Sequence, residues 1–368
     1  MTNLVKQQNE FCGVDTWHES NFTGKNVVII NCEGNGTHGL QTQQCILNSA
    51  PDTIAINQGI GTIAKNGEVY DYFVFYENQK HTLEEFIIKS HAKILTQSNH
   101  GTNLIGTWYS QELNRLKKKY NLIFLNLAGN VGDTCNGAFP SDVAIWVGAS
   151  SLVKGKPKYV TNFCNGEDKD FTDFMGDFWG TSYSTPYLAG KIACIIQRYG
   201  DLSQDEVYEY LKMISINYES DKKNIYVGYG LPILPSIDKK YITMTTTSND
   251  YYVNGNKCMS DTKPTNIDGT VFVPLRLIAN ELGAEIKPTT FNNDKSVHIE
   301  IVKGNTTIVL NTDSKVAYVN GNKVELLQAP YIDKTSNRTL VPLRFISEQF
   351  GCSVSWLQSE QKVLILEK

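Results

Sequence analysis

Two kinds of hydrophobic pattern alternate along the first two thirds of the chain. Short, mostly apolar runs at Val27–Ile30, Thr53–Ile56, Ile94–Gln97, Leu122–Leu127 and Val143–Val147 read as strands buried on both faces. Between them, apolar residues recur every three or four positions over Gln41–Leu47, Leu83–Ala92, Gln111–Tyr120, Ser184–Tyr199 and Gln204–Met213. That is the period of an amphipathic helix. The alternation predicts an α/β domain, with a mostly parallel sheet flanked by helices. The last third has another rhythm. Alternating stretches such as Val297–Ile301 and Lys362–Leu366, with Asn-Gly dipeptides, predict a smaller α+β, mostly β, region built from hairpins.

That last third repeats itself. Val273-Pro-Leu-Arg-Leu-Ile-Ala-Asn-Glu-Leu-Gly-Ala-Glu-Ile286 returns as Val341-Pro-Leu-Arg-Phe-Ile-Ser-Glu-Gln-Phe-Gly-Cys-Ser-Val354, and Tyr252-Val-Asn-Gly-Asn-Lys257 returns as Tyr318-Val-Asn-Gly-Asn-Lys323. Each copy places a proline before a short helical stretch and a glycine, Gly283 or Gly351, after it. The chain therefore divides into an N-terminal tail at 1–20, a domain at 21–237, and a duplicated domain at 238–368 with repeats at 241–303 and 307–368.

Composition narrows the functional classes. Of 368 residues, 41% are hydrophobic and 20% charged, which suits a folded globular chain and excludes wholesale disorder. The net charge is −4 and arginine occurs only five times, which argues against nucleic acid as a partner. No apolar run reaches the ~20 residues of a membrane span, so no membrane insertion is expected. The first residues lack the apolar core of a signal peptide. A cytoplasmic location, or release from a phage or lysed cell, is the expectation. A cell-surface location is the alternative if a signal precedes this sequence. The eight cysteines form no C-x-x-C pair and most read as buried thiols.

One helix begins with unusual chemistry. Gly180-Thr-Ser-Tyr-Ser-Thr-Pro186 runs into an apolar helix, with Pro186 expected in its first turn. Ser182 then lies where free N–H groups favour a developing negative charge, a setting for a nucleophile and its oxyanion. A plain N-cap serine is the simpler reading of the spacing alone.

Together with Gly36-Thr-His-Gly39 and Ala128-Gly-Asn130, in that order, this segment resembles the subtilases, the subtilisin-like serine proteases. The resemblance spans about 210 residues. It includes Phe22–Ile30 as the first strand with its lead-in, Ser98-Asn-His-Gly101 as the substrate-pocket segment, and Tyr226–Leu231 as the closing segment. It implies Ser182 as nucleophile, His38 as general base and Asn130 as oxyanion donor. It also implies Ser98, Asn99, His100 and Gly101 as substrate-binding residues, with a protein or peptide as substrate.

The sequence departs from the family at the triad acid. Asn31 stands at the end of the first strand where the family has Asp, and losing that carboxylate costs about four powers of ten in rate, ~5.5 kcal/mol of barrier. Glu33, two residues on and on the same face of an extended chain, is the candidate replacement, and Asp15 is a second. A catalytically impaired pseudoprotease, acting as a binding or structural protein, is the alternative function.

Residues 240–368 resemble the stalk domain likened to the N-terminal domain of copper amine oxidases, through the duplicated V-P-L-R-x-I-x-x-x-x-G pattern. This implies a localisation or assembly module with cell-wall, virion or self-contacts. Its only histidine, His298, does not make a copper site, and no cofactor is expected. Arg276 and Arg344 read either as ligand contacts or as partners of carboxylates within the fold. The acidic stretch Glu167–Asp173 has oxygen ligands enough for structural calcium but reads more simply as a solvated loop.

Overall fold

The structure, a computed structural model, describes residues 3–65, 68–99, 107–130, 132, 142–160, 169–174, 180–287, 290–291 and 296–368. The chain forms two compact units, Met1–Ile237 and Asp238–Lys368.

The first unit begins with helices α1 (Asn3–Phe11) and α2 (Val14–Glu19). Then come β1 (Val28–Asn31), α3 (Thr37–Ser49), β2 (Ile54–Asn57), β3 (Ile60–Lys65), β4 (Glu68–Tyr76) and β5 (Gln79–Thr82). These are followed by α4 (Leu83–Ser90), β6 (Ile94–Gln97), α5 (Thr107–Tyr120), β7 (Ile123–Leu127), β8 (Ile145–Val153), β9 (Lys156–Tyr159) and β10 (Phe171–Phe174). Helices α6 (Thr181–Tyr199) and α7 (Gln204–Ile214) and the two-residue strands β11 (Ser215–Ile216) and β12 (Leu231–Pro232) complete it. The main sheet has the order β10-β8-β7-β6-β1-β2, all neighbours parallel, with β9 antiparallel on β8. The continuous apolar strands are buried on both faces because helices cover both. Phe86, Ile87, Leu113 and Leu116 of α4 and α5 pack with Leu95, Phe124 and Trp146 on one side. Helix α6 is buried almost throughout against β6, β7, β8 and β10 on the other.

Several expectations need correction. The first 20 residues are not a tail. Cys12, Val14 and Trp17 are fully buried, Trp17 Nε1 donates to Pro235 O at 2.8 Å, and Asn9 Nδ2 donates to Asn48 O at 2.9 Å. The stretch read as a solvated acidic loop supplies strand β10 instead, and Asp173 is fully buried against Lys191 at 2.6 Å. Glu167 and Asp168 lie outside the described residues, as do Cys135 and Cys164. The antiparallel β3-β4-β5 sheet was not anticipated, although Val69–Tyr76 is rich in the β-branched and aromatic residues that favour strands.

The second unit pairs two equivalent series. The first repeat is β13 (Tyr241–Thr245), β14 (Asp250–Val253), β15 (Asn256–Met259), β16 (Thr265–Ile267), β17 (Thr270–Pro274), α8 (Leu275–Glu281), β18 (Glu285–Ile286), β19 (Thr290–Phe291) and β20 (Val297–Lys303). The second is β21 (Thr306–Asn311), β22 (Val316–Val319), β23 (Asn322–Glu325), β24 (Tyr331–Asp333), β25 (Arg338–Pro342), α9 (Leu343–Gln349), β26 (Cys352–Leu357) and β27 (Lys362–Glu367). The last strand of each repeat pairs with the first strand of the other, β20 with β21 and β27 with β13. Strands β17 and β25 meet antiparallel with the equivalent residues Val273 and Val341 face to face. One core results, with Ile278, Ile299, Leu310, Ile346 and Ile365 in the same cluster.

If the amino-terminal helices belong to the first unit's core, Trp17→Ala will lower its unfolding free energy by about 3–5 kcal/mol, the usual cost of emptying a buried tryptophan site. Urea titration followed by far-UV circular dichroism will register this; an unchanged midpoint would mean the segment is a dispensable appendage.

Candidate active site

The site is built where β1 ends and α3 begins. Asn31 is fully buried, and its Nδ2 donates to Thr42 Oγ1 at 2.8 Å, to Asn57 Oδ1 at 2.7 Å and to Gly39 O at 3.2 Å. A backbone carbonyl can only accept, so the nitrogen of the amide must face Gly39. Asn31 thus fastens β1 to the first turn of α3 and to β2. Gly39 explains how closely they approach: a Cβ there would lie 1.8 Å from Gly34 O and 3.2 Å from Glu33 Cβ.

This approach lays the stem of Glu33 along the first turn of α3. Its Oε2 is 3.2 Å from His38 Nδ1, and its side chain is only 6% exposed, whereas that of His38 is 40% exposed. Glu33 Oε1 is buried with no hydrogen-bond partner among the described residues. A carboxylate only accepts, so the proton of the neutral imidazole sits on Nδ1, leaving Nε2 as the basic nitrogen. The bond from Glu33 raises the His38 pKa above the ordinary histidine value, against partial burial, which lowers it. On the other side the Tyr183 ring lies 5.6 Å from the imidazole, tilted by 53°, and Tyr183 OH donates to Gln41 Oε1 at 3.1 Å.

Ser182 occupies the first turn of α6. Pro186 falls in the second turn, not the first, because the helix already begins at Thr181. Proline has no N–H, so the Ser182 carbonyl lacks the donor that residue 186 would supply. The Ser98 hydroxyl fills that place at 2.9 Å, and the Ser182 hydroxyl in turn donates to Ser98 O at 3.1 Å. This reciprocal pair ties the end of β6 to the first turn of α6. No hydrogen bond joins Ser182 to His38 among the described residues.

Asn130 is oriented by the residue before the serine. Its Oδ1 accepts from Thr181 N at 2.9 Å and from Thr181 Oγ1 at 2.8 Å. The backbone N–H can only donate, so the amide oxygen faces Thr181 and Nδ2 is left as a donor that bonds nothing among the described residues. Thr181 and Tyr183 were not singled out by sequence reasoning, though both lie within the Gly180–Pro186 motif.

The other residues singled out are distributed differently. Asn99 is exposed, and His100 and Gly101 lie outside the described residues. Asp15 has no contact with His38; it lies on α2, where burial raises its pKa, offset in part by His18. Asp170 meets Tyr208 OH at 2.8 Å and Lys223 at 3.2 Å. Among the described residues no group of three or more His, Cys, Asp or Glu stands close enough to hold a metal. No described helix is long and apolar enough to cross a membrane.

Comparison with known proteins adds the following. The pattern of the Copper amine oxidase N-terminal domain family matches residues 206–295 and 289–365. The first match therefore begins inside the first structural unit. No curated protein matches the chain. Among solved structures, the prenylagaramide maturation protease PagA is 17% identical, with a TM-score of 0.45 over 60% of this chain and 95% of that one. A lanthipeptide protease is 14% identical, with a TM-score of 0.42 over 63% and 94%. MycP1 from Mycobacterium smegmatis is 14% identical, with a TM-score of 0.44 over 63% and 84%.

The donor role of Asn31 makes a stability prediction. Asn31→Asp turns a buried carboxylate oxygen towards Gly39 O, and burial raises the folded-state pKa above the unfolded ~3.9. The folded state then binds the extra proton more tightly, so the loss is small in acid and grows as pH rises through the folded pKa. At pH 7.5 the variant will be less stable by about 1–3 kcal/mol. Melting curves at pH 4.5 and 7.5 that shift equally would contradict this.

Proposed function

We propose that residues 21–237 act as a serine endopeptidase of the subtilisin type, cleaving a protein or peptide through an acyl-enzyme, and that residues 238–368 localise or assemble it. The observation that carries this reading is the 3.2 Å contact between Glu33 Oε2 and His38 Nδ1. It supplies, from two residues further along the chain, the negative charge that Asn31 lacks.

In the proposed mechanism Ser182 Oγ rotates away from Ser98 O towards His38 Nε2 and attacks the scissile carbonyl as His38 takes its proton. Glu33 holds the imidazole in the reactive tautomer and stabilises the imidazolium. The oxyanion accepts from Asn130 Nδ2 and from the Ser182 N–H, one of the free donors of the first turn of α6. His38 returns its proton to the leaving amine, and water, activated the same way, releases the acyl group.

A second reading, a pseudoprotease that binds without cleaving, is favoured by one observation: the Ser182 hydroxyl is already engaged by Ser98 O. The two readings part on chemistry. A fluorophosphonate probe will label the wild type and not Ser182→Ala, and Glu33→Gln will slow labelling by about 10³–10⁴-fold. Wild-type labelling no faster than that of Ser182→Ala would sink the enzyme reading.

The raised His38 pKa fixes the sign of the pH response. Protonated His38 cannot act as a base, so labelling will rise with pH through an inflection above the ordinary ~6.5. Glu33→Gln will move that inflection downward. The stability that the pair contributes is complete below the unfolded pKa and is lost as pH rises through the folded one. An inflection unmoved by Glu33→Gln would remove Glu33 from the triad.

A further inference from the structure

The duplicated unit contains an internal control for its two V-P-L-R arginines. Arg344 of α9 donates to Glu348 Oε1 at 3.2 Å and to Val354 O at 2.8 Å. The equivalent residue of the first repeat, Arg276 of α8, has Asn280 where Arg344 has Glu348. Arg276 is exposed and, among the described residues, makes no hydrogen bond or ion pair. It lines a groove of about 650 Å³ whose walls include Met259, Leu277 and Ile286.

The other charges of that groove are spoken for. Arg338 Nε donates to Asp261 Oδ2 at 2.7 Å, Lys287 Nζ lies 2.7 Å from Glu285 Oε1, and Glu281 accepts from Tyr251 OH at 2.8 Å. Among the described residues, Arg276 alone is left to neutralise a ligand. We infer that this groove is a binding site for an extended acidic peptide segment, a single carboxylate flanked by aliphatic side chains, with the carboxylate on the Arg276 guanidinium.

The chemistry selects that ligand. A guanidinium presents a planar fork of donors that matches a carboxylate with two parallel bonds. Glu281 lines the same groove and repels a dianion more than a monoanion, so a monoanionic carboxylate suits it better than a phosphate. Met259 is 79% exposed and offers an aliphatic wall for the neighbouring side chains. Asn280, Asn337 and Thr339 line the groove and offer side-chain partners to a peptide backbone. In the second repeat Glu348 and the Val354 carbonyl already engage the equivalent arginine and compete with such a ligand. The inference goes beyond the peptidase reading and stands independently of it.

The test uses the full chain carrying Ser182→Ala, so that no cleavage confuses binding. The probe is a dye-labelled capped peptide, acetyl-Ala-Leu-Glu-Val-Ala-amide, read by fluorescence anisotropy beside its Gln counterpart. The Glu peptide is expected to bind at least about tenfold more tightly than the Gln peptide, the span of a charge-assisted hydrogen bond. Arg276→Met is expected to abolish that preference and Arg344→Met to keep it. Arg276 bonds nothing among the described residues, so its variant should melt at the wild-type temperature, which separates lost binding from lost structure. Equal binding of the Glu and Gln peptides, no binding at 1 mM protein (about the weakest affinity such a contact leaves), or stronger competition by inorganic phosphate than by acetate would each overturn the assignment.

Discussion

Asn31 donates in a place where it meets acceptors, and the rest of the candidate site depends on that. Its Nδ2 reaches the Gly39 carbonyl, the Thr42 hydroxyl and the Asn57 amide oxygen, drawing β1, α3 and β2 together around one buried nitrogen. A carboxylate at this position would face the Gly39 carbonyl with like partial charge. The strand end is therefore a structural joint, and in the proposed mechanism Glu33 supplies the acid instead. Cys32 N bonds Thr96 O and Glu33 N bonds Asn31 O, so the chain turns immediately after the joint and carries Glu33 over the first turn of α3. The bare Gly39 leaves room for its stem. The contact of Glu33 with His38 thus rests on a donor at 31, a turn at 33 and a gap at 39.

The serine side is organised by a different omission. Pro186 removes one N–H from α6 and so frees the carbonyl of Ser182. A buried carbonyl without a partner costs roughly 1–3 kcal/mol, and the Ser98 hydroxyl offsets that cost while fixing β6 against the helix. The lower half of α6 is held no less firmly. Lys191 Nζ reaches Asp173, and also Pro232 O at 2.8 Å. Gly190 admits the close crossing of α3, since a Cβ there would lie 2.1 Å from Ser49 Oγ. Helix α6 is thus anchored along its length, and the proposed mechanism asks only side chains to turn: the Ser182 hydroxyl about its χ1 and the half-exposed His38 ring of α3.

Much of this was readable from residues alone, and the failures have physical causes. The buried strands announced themselves as apolar runs because both sheet faces are covered. Ser182, His38 and Asn130 stood in local motifs, and motifs are short-range patterns. The start of α6 was misread because proline was assumed to need the first turn, whereas a hydroxyl from another strand repairs the missing bond. The first helices were missed because α1 carries Lys6, Gln7, Gln8, Asn9 and Glu10, a polar stretch in which Gln8 and Asn9 are nonetheless buried. Asn9 is inside because it bridges Tyr187 OH and Asn48 O, a partnership across the fold that no local pattern encodes. The Lys191–Asp173 pair was hidden for the same reason.

The second unit shows what duplication constrains and what it leaves free. Each repeat lends its last strand to the other, so neither holds a complete sheet and the two share one core. Substitutions inside that core must suit both copies at once, most of all at the Val273–Val341 pairing, where the repeats meet residue to equivalent residue. The outer faces of α8 and α9 carry no such requirement. One exposed position, four residues after the arginine, is Asn in one copy and Glu in the other, and an i, i+4 carboxylate is enough to occupy a guanidinium in a helix. A shared fold therefore need not mean a shared surface chemistry: the same arginine is engaged by Glu348 and the Val354 carbonyl in one repeat and has no partner among the described residues in the other.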